Sequence, residues 1–474
     1  MKVLFVSAEV VPFSKTGGLA DVAYSLPRAL ISEDVDVRIM TSRNFHNKKV
    51  DVKEKHLLNT EVEVGWRKQY LGLSMTEFND MQFYFLDNEY YFKREGIYGH
   101  FDDAERYSYF CRAALEALIH IDFEPDVIHF NDWHTAMIPL LIKKHYGHIE
   151  KFRNIKTVFT IHNLRYQGVF DAAVLNELLN LDYSEFESGA VEFFGGINFM
   201  KSGITFADAV TTVSDTYAKE IREPYFGEKL HDLIRDHESK LHGIINGIDF
   251  EIYNPEIDPK IVKNYSYKNS SRKQINKEHL QHIMGLKKSK RPLIAMVTRF
   301  ADQKGLDLLE HIIEELLELD IQLVVLGSGE EKYESMFKHF SYHYDNLSAS
   351  IGFNEGLAHE IYAGADMLLM PSLFEPCGLS QLISQRYGTV PIVRETGGLR
   401  DTVKHYNKYT QEGSGFSFGS YNAHEMLFAV KRALELYDNK KEWRILVKNI
   451  MQLDTSWKQS ALKYKALYRD LIGE

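Results

Sequence analysis

Short apolar runs, each closed by a polar or glycine-bearing turn and followed by a helix-type stretch, recur along the whole chain and restrict its fold more than any other feature. In the first half Lys2–Val10 (KVLFVSAEV), Val35–Thr41, Asp126–Asp132, Lys156–Asn163 and Asp208–Ser214 read as strands, and Gly18–Leu30 (GLADVAYSLPRAL) reads as a helix. The pattern restarts beyond residue 246 with Pro292–Phe300, Ile321–Gly329, Asn346–Phe353, Asp366–Ser372 and Val390–Thr396, interrupted by clear helices such as Gly305–Leu319. Apolar strands separated by helices specify parallel, doubly wound sheets of the α/β class. A chain of 474 residues exceeds one ordinary core. Two Rossmann-like halves follow, with a junction in the Gly-, Asn- and Pro-rich GIINGIDFEIYNP, residues 243–255. The expected domains are 1–245, completed by a terminal helix over 457–474, and 246–456.

In such sheets ligands collect beyond the carboxyl ends of the strands, and the unusual residues fall there. Thr-Gly-Gly-Leu occurs twice, in FSKTGGLADV (13–22) and RETGGLRDTV (394–403), each time between a strand-type and a helix-type run. A glycine loop entering a helix offers unpaired N–H groups to an anion; the alternative is a simple turn. Lys15 and Arg394 add a cation to each copy. Arg299 and Lys304, in VTRFADQKGLDLL, are either a metal-free counter-charge for a diphosphate or a pair of solvated surface charges. Glu375, in MPSLFEPCGLSQL, stands where a carboxylate accepts hydrogen bonds from sugar hydroxyls or stabilises developing positive charge. Asp132, His134 and His162 close two first-half strands and suit acid–base or electrostatic work. They lack metal-ligand spacing.

The net charge of −11 works against non-specific nucleic-acid binding, so an anionic ligand needs a local cluster of cations. Two cysteines, Cys111 and Cys377, exclude a disulfide framework and a thiolate zinc site. No apolar stretch approaches a membrane span and MKVLFVSAEVVPFSK reads as strand and loop, so a cytoplasmic location without membrane attachment is expected.

Together SAEVVPFSKTGGLADV, FNDWHTAMIP, TIHNLRYQG, TVSDTYAKEI, GIINGID, TRFADQKGLDLL, FEPCGLSQL and YGTVPIVRETGGLRDTV resemble, in order and over nearly the whole chain, the bacterial glycogen synthases and plant starch synthases. The resemblance implies a GT-B architecture: two Rossmann-like domains facing a central cleft, with the C-terminal helix crossing back to the first. It implies retaining transfer of glucose from ADP-glucose to the non-reducing end of an α-1,4-glucan, with no metal and no cofactor beyond the donor.

Carried over residue by residue, Asp132, His162, Arg299, Lys304 and Glu375 are the implied catalytic groups. Lys15, Gly17, Gly18, Asn246, Phe353, Cys377, Gly378, Leu379, Thr396, Gly397 and Gly398 are implied donor contacts, with the amides of the second glycine loop reaching sugar hydroxyls and phosphate. Asp21 and Tyr98 are implied acceptor contacts, Tyr98 as a stacking ring from the aromatic-rich FYFLDNEYYFKREGIYGHF. Two departures stand out. Ile383 occupies the place of a ribose-binding Glu found in many GT-B transferases, and Phe353 replaces a common Tyr, keeping a ring for adenine without its hydroxyl. A nicotinamide dehydrogenase is disfavoured because no G-x-G-x-x-G follows the first strand. A UDP-glucose transferase, a sugar-nucleotide epimerase and a non-catalytic glucan-binding protein remain as alternatives.

Overall fold

The computed structural model describes residues 1–44, 50 and 52–474. They divide into two compact units, Met1–Asn246 with Trp457–Glu474, and Gly247–Ser456.

The first unit is built on a nine-stranded sheet in the order β12-β11-β7-β6-β1-β2-β5-β4-β3. Its strands are β1 (Lys2–Val6), β2 (Asp36–Ser42), β3 (Lys55–Val64), β4 (Arg67–Phe78), β5 (Met81–Asp87), β6 (Val127–Asn131), β7 (Lys156–Ile161), β11 (Ala209–Thr212) and β12 (Leu241–Gly243). A separate antiparallel sheet joins β8 (Val169–Asp171), β9 (Glu192–Phe193) and β10 (Gly196–Asn198). From β12 through β5 the large sheet is parallel, and β6 is buried at every residue. β4 and β3 extend it antiparallel. On β3 charged Lys55, Glu61 and Glu63 are exposed while Val62 and Val64 point inward, so the sheet ends on a charged edge.

β1 ends at Val6, earlier than its apolar run, because Ser7–Gly17 turns away as a loop. The first Thr-Gly-Gly-Leu therefore opens helix Gly18–Ile31 from a long loop and not from a strand end. The aromatic-rich stretch is mostly interior: Phe83, Phe85, Tyr91 and Phe92 are buried, whereas Tyr90 and Phe101 are exposed.

The terminal helix Trp457–Ile472 belongs to the first unit, packing Ala461, Tyr464 and Tyr468 into a core with Val22, Leu26 and Leu30. Its polar anchor is His129 in β6. The Tyr468 hydroxyl meets Nδ1 at 2.6 Å and the Thr160 hydroxyl meets Nε2 at 2.5 Å. Burial drops the pKa of this imidazole to about 3, so it is neutral. Tyr468→Phe is expected to lower the melting temperature by about 2–4 °C, since an unpaired buried nitrogen costs roughly 1–2 kcal/mol. Calorimetry showing an unchanged transition would contradict this anchoring.

The second unit holds a six-stranded parallel sheet: β13 (Leu293–Val297), β14 (Gln322–Gly327), β15 (Leu347–Ile351), β16 (Met367–Met370), β17 (Val390–Arg394) and β18 (Phe416–Phe418). Its order, β15-β14-β13-β16-β17-β18, is the 3-2-1-4-5-6 order of dinucleotide-binding sheets, which places a topological switch point between β13 and β16. In the first unit the corresponding reversal lies at β1, flanked by β2 and β6.

Candidate active site

At the first unit's switch point, the chain after β6 is held in an unusual conformation. Asp132 has φ 56°, in the left-handed region that non-glycine residues rarely enter. The conformation is fixed from both sides: the Asp132 N–H donates to the Thr160 carbonyl at 2.9 Å, and Oδ1 accepts the His162 N–H at 2.8 Å. Burial pushes the Asp132 carboxyl up to about 7 against those amides, with the charge of Glu9 adding to the rise. His162 is likewise driven down to about 3 by burial. The Asn131 amide donates to the Val6 carbonyl at 3.0 Å, which turns its oxygen to His162 Nε2 at 2.9 Å. His162 is therefore a neutral imidazole with its hydrogen on Nε2. Next in line, the His134 ring stacks on Tyr98, with centroids 4.3 Å apart. One face of Tyr98 is thus already covered.

Glu9, which sequence reasoning passed over, organises the first glycine loop. It is buried, and it accepts from the Thr16 N–H at 2.5 Å and the Thr16 hydroxyl at 2.9 Å, with the Gly17 amide also turned to it. The Thr16 and Gly17 amides of that loop are thus turned to the chain's own carboxylate, which burial holds up at about 7. The one available signal was an acidic residue inside an apolar run. Lys15 pairs with Asp21, in the first turn of the following helix, at 2.7 Å, bringing together two residues assigned to different substrates. Glu9→Ala removes the acceptor of Thr16, and the KM of the substrate meeting Lys15 is expected to rise about tenfold. Glu9→Gln, which keeps an acceptor, should recover most of the loss; steady-state kinetics giving equal values for the two variants would contradict the role.

In the second unit Lys304 and Glu375, 71 residues apart, form an ion pair of 2.6 Å with both side chains largely buried. Their loops are joined by backbone. The Leu373 N–H donates to the Gln303 carbonyl at 2.9 Å, and the Gln303 amide donates to the Phe374 carbonyl at 3.2 Å. Gly305 makes the approach possible. Its φ is 69°, and a Cβ there would lie 2.1 Å from the Pro371 carbonyl oxygen. Ser372 donates to the same Glu375 oxygen at 3.0 Å. Arg299 stands exposed just past β13.

The second glycine loop supports Glu375 from below. A Cβ on Gly397 would lie 2.0 Å from the Glu375 carbonyl oxygen, and one on Gly398 would lie 2.1 Å from that of Cys377. The Gly398 N–H donates to the Glu375 carbonyl at 3.0 Å, so the amide expected to meet phosphate is engaged within the protein. Arg394, read as this loop's anion-binding cation, instead donates to the carbonyls of Leu373 at 2.5 Å and Ser372 at 3.4 Å. It fixes the loop that carries Glu375.

Thr396 and Cys377 are buried beside these contacts, Gly378 turns at φ 75°, and Leu379 precedes helix Ser380–Arg386. Phe353, beyond β15, is 83% exposed and free to stack. Asn246 is buried at the end of the first unit. Among the described residues no group of three or more His, Cys, Asp or Glu is placed to hold a metal ion. No helix among them is long and apolar enough to cross a membrane.

Two doubly wound units with polar groups gathered at their switch points, matched by two glycosyltransferase family models, place the chain among the glycosyltransferases of the GT-B class. The starch synthase catalytic domain model matches residues 2–236, and the glycosyl transferases group 1 model matches residues 280–449. Curated glycogen synthases are similar over full length. That of Clostridioides difficile is 52% identical, covering 99% of this chain and 100% of its own, and that of Caldicellulosiruptor saccharolyticus is 52% identical with complete coverage of both. The catalytic domain of starch synthase IV from Arabidopsis thaliana, bound to ADP and acarbose, superposes with a TM-score of 0.93 at 34% identity, covering 100% of this chain and 99% of that one. Sucrose-phosphate synthase from Thermosynechococcus elongatus shares the fold, with a TM-score of 0.63 at 16% identity. The chain belongs to the glycogen synthase family.

Proposed function

We propose that the protein transfers glucose from ADP-glucose to the 4-hydroxyl at the non-reducing end of an α-1,4-glucan, with retention of configuration and without a metal. The observation that carries the reading is the buried Lys304–Glu375 pair at the second unit's switch point, with Arg299 exposed at the same strand ends. Cleavage of the anomeric bond leaves an extra negative charge on the departing diphosphate and positive charge on the sugar. Lys304 and Arg299 stabilise the first, and Glu375 accepts hydrogen bonds from the sugar. Phe353 offers a ring to the base. Ile383 is buried, which leaves the ribose without a carboxylate from that position. ADP is favoured as the nucleotide because the starch synthase IV structure was bound to it.

The family resemblance assigns Lys15 to the donor, and Asp132 and the neutral His162 to the glucosyl ring. Retention usually proceeds through a carboxylate nucleophile. Here the leaving phosphate oxygen takes the proton of the attacking hydroxyl on the same face of the sugar, so the bond to phosphate breaks as the new glycosidic bond forms. The test offers the purified protein ADP-glucose or UDP-glucose with glycogen and measures nucleotide release and polymer growth. Faster turnover of ADP-glucose is expected; exclusive use of UDP-glucose would overturn the donor, and growth of a β-linked product would overturn retention.

A further inference from the structure

We infer that the second unit carries a binding site for a neutral glucan chain beside β18, outside the residues assigned to the reaction. A crevice of about 510 Å³ opens there, lined by Glu395, His405, Ser417, Glu425, Phe428 and Arg432. It has a built wall. Glu425, Phe428 and Arg432 stand at i, i+3 and i+7 on helix Ala423–Asp438 and so share one face. Opposite them Glu395 is held by its N–H to the Phe418 carbonyl at 2.9 Å, immediately ahead of the Thr396–Gly398 loop.

The existing bonds determine which atoms are left for a ligand. Ser417 Oγ donates to Glu395 Oε1 at 2.7 Å, the Ser417 N–H donates to His405 Nδ1 at 3.3 Å, and Arg432 Nη2 donates to the Ser417 carbonyl at 2.8 Å. The Ser420 N–H donates to Glu425 Oε2 at 3.0 Å. Because His405 Nδ1 accepts, its hydrogen is on Nε2. Arg432 Nε is buried and has no partner among the described residues. Glu425 is engaged by both the N–H and the side chain of Ser420, so the second oxygen of Glu395 remains as an acceptor, with His405 Nε2 as a donor. Phe428 is 61% exposed, its ring 5.3 Å from the Arg432 guanidinium.

This combination selects its ligand by charge. Two carboxylates repel a phosphate or a nucleotide, and the guanidinium repels a bare cation. A donor and an acceptor beside an exposed ring suit a polyhydroxylated ring, whose hydroxyls both give and accept while its C–H face lies on the aromatic. A crevice of this size accommodates one or two sugar units. The source is the α-glucan itself, which rests on the function proposed above. A second foothold for the polymer raises the effective concentration of chain ends without touching the chemistry.

The test is retention in native gels cast with glycogen, run beside kinetics on glycogen and on maltotriose. Phe428→Ala is expected to weaken retention and raise the KM for glycogen by about 3- to 10-fold, the worth of one aromatic contact. Turnover on maltotriose should be unchanged, and Phe428→Tyr should restore retention. Unaltered retention of Phe428→Ala, or equal losses on maltotriose and glycogen, would overturn the site. Failure of the wild type to use any glucose donor while glycogen still retards it would instead refute the proposed function and leave the site standing.

Discussion

Glu375→Ala is expected to reduce kcat by about 10²–10³-fold with a smaller change in donor KM. The carboxylate sits 2.6 Å from Lys304 and 3.0 Å from the Ser372 hydroxyl, and the residue is 6% exposed. Removing it has two consequences. On the proposed reaction the sugar loses a charged acceptor at the reacting end, and Lys304 loses the anion that holds its ammonium in one place. Lys304→Ala removes the cation and leaves Glu375 as a buried, unpaired charge, so a loss of similar size is expected. Groups that act as one unit do not add. The double variant should therefore fall little below the weaker single variant. Single losses under about tenfold, or a double variant equal to the product of the two, would mean that the pair does not work as a unit.

The pairing itself was not legible in the sequence, although both partners were. Parallel strands such as β6 and β14 are covered on both faces, so most of their residues are apolar and the runs stand out. β3 alternates exposed charge with buried valine and reads as surface, and the antiparallel extension was missed for that reason. Lys304 and Glu375 were each visible as polar residues at strand ends. Their contact depends on the switch point between β13 and β16 and on the close approach that Gly305 permits.

The two glycine loops show a subtler limit. Glycine marks close approach of backbone, but it does not say to what. In the second copy the neighbour is the protein's own site-forming segment, the Glu375–Cys377 backbone at Gly397 and Gly398, whereas a Cβ on Gly17 in the first would meet nothing within 4 Å and the loop is held by the Glu9 carboxylate at Thr16. Each loop positions an acidic residue, and the Thr16, Gly17 and Gly398 amides turn to the protein's own oxygens. Glu9 escaped notice because an acid in an apolar run becomes meaningful only when the loop folds back onto it.

Asp132→Asn is expected to abolish most activity and to stabilise the fold, and the sign follows from burial. The Asp132 carboxyl has a folded pKa near 7, raised from 3.8. Between those values the unfolded chain releases a proton that the folded chain keeps. Stability therefore falls as pH rises through this window and stays reduced above it. Asparagine removes the buried charge and still offers an oxygen to the His162 N–H, and it keeps the same side-chain size on the strained backbone at φ 56°. At pH 8 the variant should melt about 2–4 °C above the wild type, with the difference closing toward pH 4. Its kcat should be at least about 10²-fold lower if, as proposed, Asp132 faces the glucosyl ring, because a neutral amide cannot stabilise positive charge there. Glu9, also held near 7, gives the wild type a slope of the same sign, so the variant retains part of the pH dependence. Equal melting temperatures at pH 8 would show that Asp132 carries no buried charge there. A more stable variant with full activity would place the stabilising charge of the reaction elsewhere. Gain in stability together with loss of turnover is the signature of a carboxylate kept in an unfavourable site for its chemistry.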